Sequence, residues 1–327
     1  MSEPRSPVHT DRRDRRPAWK GLLASRRKAA GAVPVPAIGI VTDSAAALPA
    51  AWVRAHASVL RSVPMPVMID GNIYVEGTDD VQTALALGLA MGKTVQTSRP
   101  APGQLLRAYT ELAEAGVAHI VSVHLSAKLS GTVDAARLAA EQSPVPVTVV
   151  DSRTVALAQG FAVMKMVDAA ESGAGLATIT ALAQTAESNS IFFTVPSLDQ
   201  LRRGGRIGAA AGMIGTLLAV KPILTMSGGQ VIVQEKVRTH PRALARLVAL
   251  ARAEAAARGP GASLAVHYFG NLDQALEIVA ELGGASAEAV FAQPVPAVLA
   301  AHTGAGVLAV AITSGAEPVT VPTSPVD

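Results

Sequence analysis

The chain has no cysteine among its 327 residues. Disulfides and thiolate metal sites are therefore excluded, and the absence fits a cytoplasmic protein. The seven histidines stand singly at positions 9, 56, 119, 124, 240, 267 and 302. With no HxxxH or HxH pair among them, neither a metal nor a cofactor is expected. Aromatic residues make up only 3% and are not interleaved with basic ones, which argues against stacking on nucleic-acid bases. What the chain has in quantity is aliphatic. At 50% hydrophobic content it can bury a large core, and its length suits two domains.

Charge is placed unevenly. Residues 1–36 carry nine basic residues (Arg5, Arg12, Arg13, Arg15, Arg16, Lys20, Arg26, Arg27, Lys28) against Glu3, Asp11 and Asp14, a net +6, so the rest of a +3 chain carries −3. The basic run could touch nucleic acid or, transiently, anionic lipid, but the stretch reads first as a disordered, solvated tail ending at Pro34 and Pro36. No apolar stretch follows the charges, so a signal peptide is not expected. Residues 289–316 are nearly free of charge, but Pro294, Pro296, His302, Gly304 and Gly306 interrupt them. They read as buried strand and loop, with 297–312 forming a closing strand-loop-strand.

Three apolar runs predict parallel βα units. Ile38 to Thr42 ends in Asp43-Ser44 before a helix at 45–57, Ile120 to Val123 precedes a Ser/Gly loop and a helix, and Val147 to Val150 ends in Asp151-Ser152. In a parallel sheet the carboxyl ends of the strands share one edge, where ligands bind. Asp43, Ser44, Ser130, Asp151 and Ser152 fall on that edge. Ser130, Gly131 and Thr132 either grip an anion at the start of a helix or merely cap it. The aspartates read as caps. Between these units, Val63 to Ile69, Asp70-Gly71 and Ile73 to Val75 read as a hairpin. The helix Val81 to Met91 is unusually apolar and is either buried or a ligand wall. Thr97 and Ser98 are a second pair of hydroxyls ahead of a helix that Pro102 begins.

The second half opens near Leu176. Arg202, Arg203 and Arg206 surround Gly204 and Gly205, an arrangement that can place guanidinium groups and backbone around one oxyanion or simply form a solvated basic loop. An uncharged helix is expected at 207–220 and an antiparallel hairpin across Ile223 to Val237. His302 sits in a glycine-flanked segment, Ala301 to Gly306.

Eight segments, in order, make the chain resemble the DegV family: VTDSAAALP, VPMPVMIDGNIYVEG, TSRPAP, HLSAKLSGT, VVDSRT, LRRGGRI, LLAVKPIL with EKVR after it, and AHTGAG. The resemblance implies a two-domain α/β fold: a parallel-sheet domain over 37–175 and a mixed α/β domain with an antiparallel hairpin over 176–327. It implies a fatty acid held in a tunnel and presented to a separate fatty acid kinase, with no catalysis by this chain. The carboxylate ligands it implies are Thr97, Ser98, Ser130 and His302, with Arg206 at the same end. Asp43, Ser44, Gly131, Thr132, Asp151, Ser152 and Thr303 would support them, and Arg202 and Arg203 would dock the partner. The sequence departs from the family at Arg99, where Gln is more usual, at Ala101, where Ser is, and at HYFGN over 267–271. A rival from another class is a hydrolase using Ser130, His302 and either Asp43 or Asp151, but no Gly-x-Ser-x-Gly elbow surrounds Ser130.

Overall fold

The apolar runs that end in polar residues become strands of one sheet. The computed structural model describes residues 36–208, 220–283 and 289–315. The basic tail up to residue 35, and most of the helix expected at 207–220, lie outside the described residues.

Strand β1 (Ile38–Asp43) leads through a 3-10 turn (Ser44–Ala46) to helix α1 (Ala50–Ala55) and β2 (Leu60–Val63). The single helix expected over 45–57 is therefore broken. Ala47 adopts a left-handed φ of 57°, and Pro49 cannot continue the amide ladder. Next come β3 (Val67–Ile69), β4 (Asn72–Tyr74), α2 (Val81–Ala90) and β5 (Val95–Thr97), which build a small antiparallel sheet in the order β4-β3-β5. Pro64 and Pro66 split the run at 63–69 between this sheet and the parallel one. Helix α3 (Pro102–Glu114), β6 (His119–His124), α4 (Thr132–Ala140) and β7 (Val147–Asp151) complete the parallel sheet, ordered β2-β1-β6-β7. The chain turns outward from β1 to β2 and later returns to β1's other side at β6. The strand order thus reverses between β1 and β6, the crevice where such sheets bind ligands.

Helix α5 (Ala156–Glu171) and α6 (Leu176–Gln184) follow. Leu157, Phe161, Met164, Met166 and Val167 of α5 are all completely buried. So broad an apolar surface needs cover on more than one face, and α5 has it: β1 packs on one face and a strand of the second sheet on another, while Asp168 and Glu171 reach solvent. That sheet is built from β8 (Ser190–Thr194), α7 (Asp199–Arg203), β9 (Lys221–Ser227), β10 (Gln230–Val237), α8 (His240–Arg258), β11 (Ser263–Tyr268), α9 (Leu272–Gly283), β12 (Ala289–Pro294), α10 (Ala297–Thr303) and β13 (Leu308–Thr313). Its six strands run β10-β9-β8-β13-β11-β12 and are antiparallel except for β11 with β12. The expected hairpin is β9 and β10.

Two further expectations are corrected. Residues 297–303 form a helix and not a strand, because Ala and Leu dominate them, Pro296 stands before the first turn, and Gly304 ends it with a φ of 79°. The apolar helix α2 is neither fully buried nor a ligand wall. Leu85 is buried, but Leu87 and Met91 are 59% and 70% exposed, and none of its residues reaches the cavity described next.

Candidate functional site

One cavity opens between the carboxyl edge of the parallel sheet and the mixed sheet. It holds about 100 Å³ for the centre of a water-sized sphere, several times the ~10–15 Å³ that one water needs. Most of its wall is aliphatic: Met65, Leu125 and Leu129 from loops, Val155 and Ala156 at the start of α5, Ile191 on β8, Met226 and Val231 on the hairpin, Val298 and Leu299 on α10, Val307 and Ala309 around β13. Phe193 is the lone Phe, Tyr or Trp among its described lining residues.

The polar part of the lining is contiguous, and it contains the hydroxyls, histidine and arginine singled out above. Thr97, at the end of β5, has its Oγ1 2.8 Å from His302 Nε2 on the last turn of α10. Gly204 lies directly against the other edge of that ring, for a Cβ at Gly204 would stand 2.2 Å from His302 Nδ1. Arg206 donates through Nη1 to the Gly204 carbonyl and through Nε, at 3.1 Å, to the Leu129 carbonyl. Leu129 adjoins Ser130, whose Oγ is 2.9 Å from Thr132 Oγ1. Arg99 covers Gly131 on the far side, its Nη1 2.6 Å from where a Gly131 Cβ would be. Ser98 and Thr303 also line the cavity, and Thr303 spends its hydroxyl on the Leu299 carbonyl.

Burial, and secondarily the nearby Arg206 guanidinium, hold the His302 pKa down at about 4. His302 is therefore neutral at pH 7, with one ring nitrogen free to donate. The positive charge of the polar end comes from arginine. A second lining imidazole, His267 on β11, is fully committed. Its Nε2 accepts from the Leu157 N–H at the start of α5 at 3.2 Å, and its Nδ1 lies 3.1 Å from the Gln293 carbonyl. Burial lowers its pKa to about 4.

The supporting residues fall into two groups. Gly131 and Thr132 begin α4 beneath Ser130, and Ser44 Oγ accepts from the N–H of the lining residue Met65 at 3.1 Å. Asp43, Asp151 and Ser152 do not line the cavity. Asp43 is wholly buried at the β1/β6 crevice, where it accepts from Ala45 N, Leu125 N and His124 Nδ1 at 3.1, 3.0 and 2.9 Å. His124 Nε2 is 2.7 Å from Ser122 Oγ, which is 2.9 Å from the Tyr109 hydroxyl. This relay, missed in the sequence, fastens the loop after β6 to the sheet. Asp151 accepts from Ala127 N at 3.1 Å and Arg153 N at 2.9 Å. Ser152 bonds the Thr154 carbonyl. Asp151 thereby braces the loop after β6, and Ser152 the loop after β7. Arg202 and Arg203 are exposed and do not line the cavity, and Arg202 pairs with Asp199 at 3.3 Å.

The hydrolase arrangement is not assembled. Ser130 bonds Thr132, His302 bonds Thr97, and both candidate aspartates are engaged elsewhere, so no relay joins the three.

Among sequence families, the one described as "Uncharacterised protein, DegV family" matches residues 37–315. The chain belongs to the DegV family. A DegV domain-containing protein of Streptomyces coelicolor is 41% identical over 280 residues, 85% of this chain and 98% of its own. One from Mycobacterium tuberculosis is 35% identical over 283 residues, with 85% and 98% covered. Among solved structures, a fatty-acid-binding DegV family protein of Thermus thermophilus superposes with a TM-score of 0.78 at 33% identity, covering 85% of this chain and 99% of that one. DegV of Bacillus subtilis, a fatty acid binding protein, gives 0.76 at 28% identity, covering 84% and 98%. Among the described residues of this DegV protein no group of His, Asp and Glu could hold a metal ion, and no helix is long and apolar enough to cross a membrane.

Proposed function

We propose that this protein holds a long-chain fatty acid with its alkyl chain along the aliphatic part of the cavity, as in a tunnel, and its carboxylate at the polar end. The observation that carries this reading is the division of one cavity into a nearly aromatic-free aliphatic wall and a contiguous set of hydroxyl, imidazole and guanidinium groups. An alkyl chain needs the first and a carboxylate the second. In this reading His302 donates from Nε2 to Thr97 Oγ1, leaving the Thr97 hydroxyl proton for the carboxylate. Ser130 donates a second proton and Arg206 supplies the charge. The fatty-acid-binding relatives from Thermus and Bacillus support the assignment.

The same reading makes the protein a presenting subunit in the cytoplasm and not an enzyme. Ser98 and Arg99, beside the carboxylate ligands, are exposed, so the headgroup faces the side from which a partner can approach. A fatty acid kinase would bring a nucleoside triphosphate there. A carboxylate oxygen would form the new bond to the terminal phosphorus as the nucleoside diphosphate leaves, giving an acyl phosphate. The exposed Arg202 and Arg203 are the proposed docking charges. The lobes at 37–175 and 176–327 would enclose the chain between them.

Mass spectrometry of small molecules extracted from the purified protein tests the reading. Fatty acids at about one per protein support it, and an empty protein that also fails to bind added palmitate refutes it. For the partner role, Arg203→Glu should slow acyl-phosphate formation by a kinase far more than it weakens palmitate binding. Equal losses would remove the docking role.

A further inference from the structure

Resting on the fatty-acid reading above, we infer that Arg99 and Arg206 form a phosphoryl subsite around Ser130, so that the cavity holds an acyl phosphate more tightly than the free fatty acid. Two guanidinium groups lie against the residues that flank this hydroxyl, and both line the cavity. Arg206 is tied to the Leu129 carbonyl and Arg99 lies over Gly131, and these are the two neighbours of Ser130 in the chain. Arg206 spends one of its five N–H donors on Leu129 and one on Gly204, leaving three. No described residue accepts a hydrogen bond from Arg99 or pairs with it, although it lines the cavity. A Cβ at Gly131 would stand 2.6 Å from Arg99 Nη1, so the guanidinium lies close over the bare backbone there.

Charge separates the two ligands. A carboxylate carries one negative charge, which Arg206 alone can match. A phosphate monoester-like group carries about −1.5 to −2 and three acceptor oxygens, which suit two guanidinium forks. The start of α4 adds to the second case. Gly131 is its N-cap and makes no side-chain cap bond, so the first-turn amides of this nine-residue helix stay open beside Ser130. Arg99 is exposed while the aliphatic wall is buried, so a phosphoryl group added to the carboxylate grows outward toward Arg99. The subsite would hold the product after transfer, until an acyl acceptor takes it.

The test compares palmitate with its non-hydrolysable β-ketophosphonate analogue, 2-oxoheptadecylphosphonate, by calorimetry on the full-length chain and on Arg99→Gln and Arg99→Lys. The wild type should prefer the phosphonate by about 10-fold or more at low salt, and Arg99→Gln should remove most of that preference. Arg99→Lys should keep part of it, because the charge remains and the fork is lost. A wild type that binds both ligands equally overturns the subsite and leaves the fatty-acid reading standing, as does an Arg99→Gln variant that keeps the full preference. A wild type that binds neither ligand overturns both. Since Arg99 is exposed, an unchanged melting temperature in the variants shows that the effect is not one of folding.

Discussion

Gly204 is the floor on which His302 rests: a single added carbon at Gly204 would stand 2.2 Å from the His302 Nδ1 and 2.9 Å from its Cε1. The glycine has an ordinary helical φ of −74°, so the requirement is for space and not for a left-handed backbone. Gly204→Ala should therefore push His302 away from Thr97 while leaving every hydrogen-bonding atom present. Fatty-acid affinity should fall about 10-fold or more, within the ~1–3 kcal/mol cost of losing a partner to a buried ionic group. Fluorescent fatty-acid displacement measures it, and full affinity would mean that the imbalance is absorbed without moving the ring.

Ser130 distinguishes ligand binding from helix capping. Its hydroxyl pairs with Thr132 Oγ1, and the N-cap of α4 is Gly131. Ser130→Ala should thus leave thermal stability within about 0.5 kcal/mol, well below the ~1 kcal/mol typical of a lost cap. Palmitate affinity should drop by about 1.5–3 kcal/mol, as for a hydrogen bond to a charged group. A melting point that falls equally with and without palmitate would reverse the assignment.

Three of the four strands of the parallel sheet were readable because their β-branched runs each ended in a polar residue or loop, whereas β2 was not, since Arg61 and Ser62 interrupt its short apolar run; the hairpin at β9 and β10 was readable because Ser227-Gly228-Gly229 separates two apolar runs. His302 was readable as a site residue but not as a helical one. Its helix has seven residues, too few for a periodic pattern to stand out, and its Ala-rich sequence is framed by Pro and Gly that also suit a loop. The Thr97–His302 contact spans 205 residues, and local pattern carries nothing about such a pairing. The same holds for Gly204 under His302 and Arg99 over Gly131. Both glycines stand in segments rich in glycine or serine, and what each makes room for becomes visible only when two distant elements meet. His124, read in the sequence as one more scattered histidine, could have been found from its place at the end of a buried strand beside another ending in Asp43.

The Asp43–His124 pair should prove structural. Asp43 accepts three hydrogen bonds without any exposed surface, so Asp43→Ala leaves His124 and two amides without their acceptor. The expected loss is about 3–5 kcal/mol, since three buried donors are left unpaired at ~1–3 kcal/mol each. Asp151→Ala, at the same sheet edge but only partly buried, should cost about 0.5–1.5 kcal/mol. Urea unfolding of the two variants orders them, and equal losses would mean that the buried relay contributes nothing special.

Acid should weaken the protein partly through His302. Its folded pKa is about 4 against 6.5 for an unperturbed histidine, because burial and Arg206 disfavour the imidazolium. The unfolded chain therefore binds more protons throughout that interval. Stability contributed by the neutral ring is intact above pH 6.5, falls as the pH drops toward 4, and is fully lost below it. At 1.36 kcal/mol per pH unit this amounts to about 3 kcal/mol as an upper bound. Carboxylates and His267 titrate in the same range, so the informative quantity is a difference between proteins. His302→Gln should lose about 3 kcal/mol less than the wild type when both are unfolded by urea at pH 6.5 and again at pH 4. Parallel pH dependences in the two proteins would show that His302 titrates with its ordinary pKa and that the polar end of the cavity is wetter than its geometry indicates.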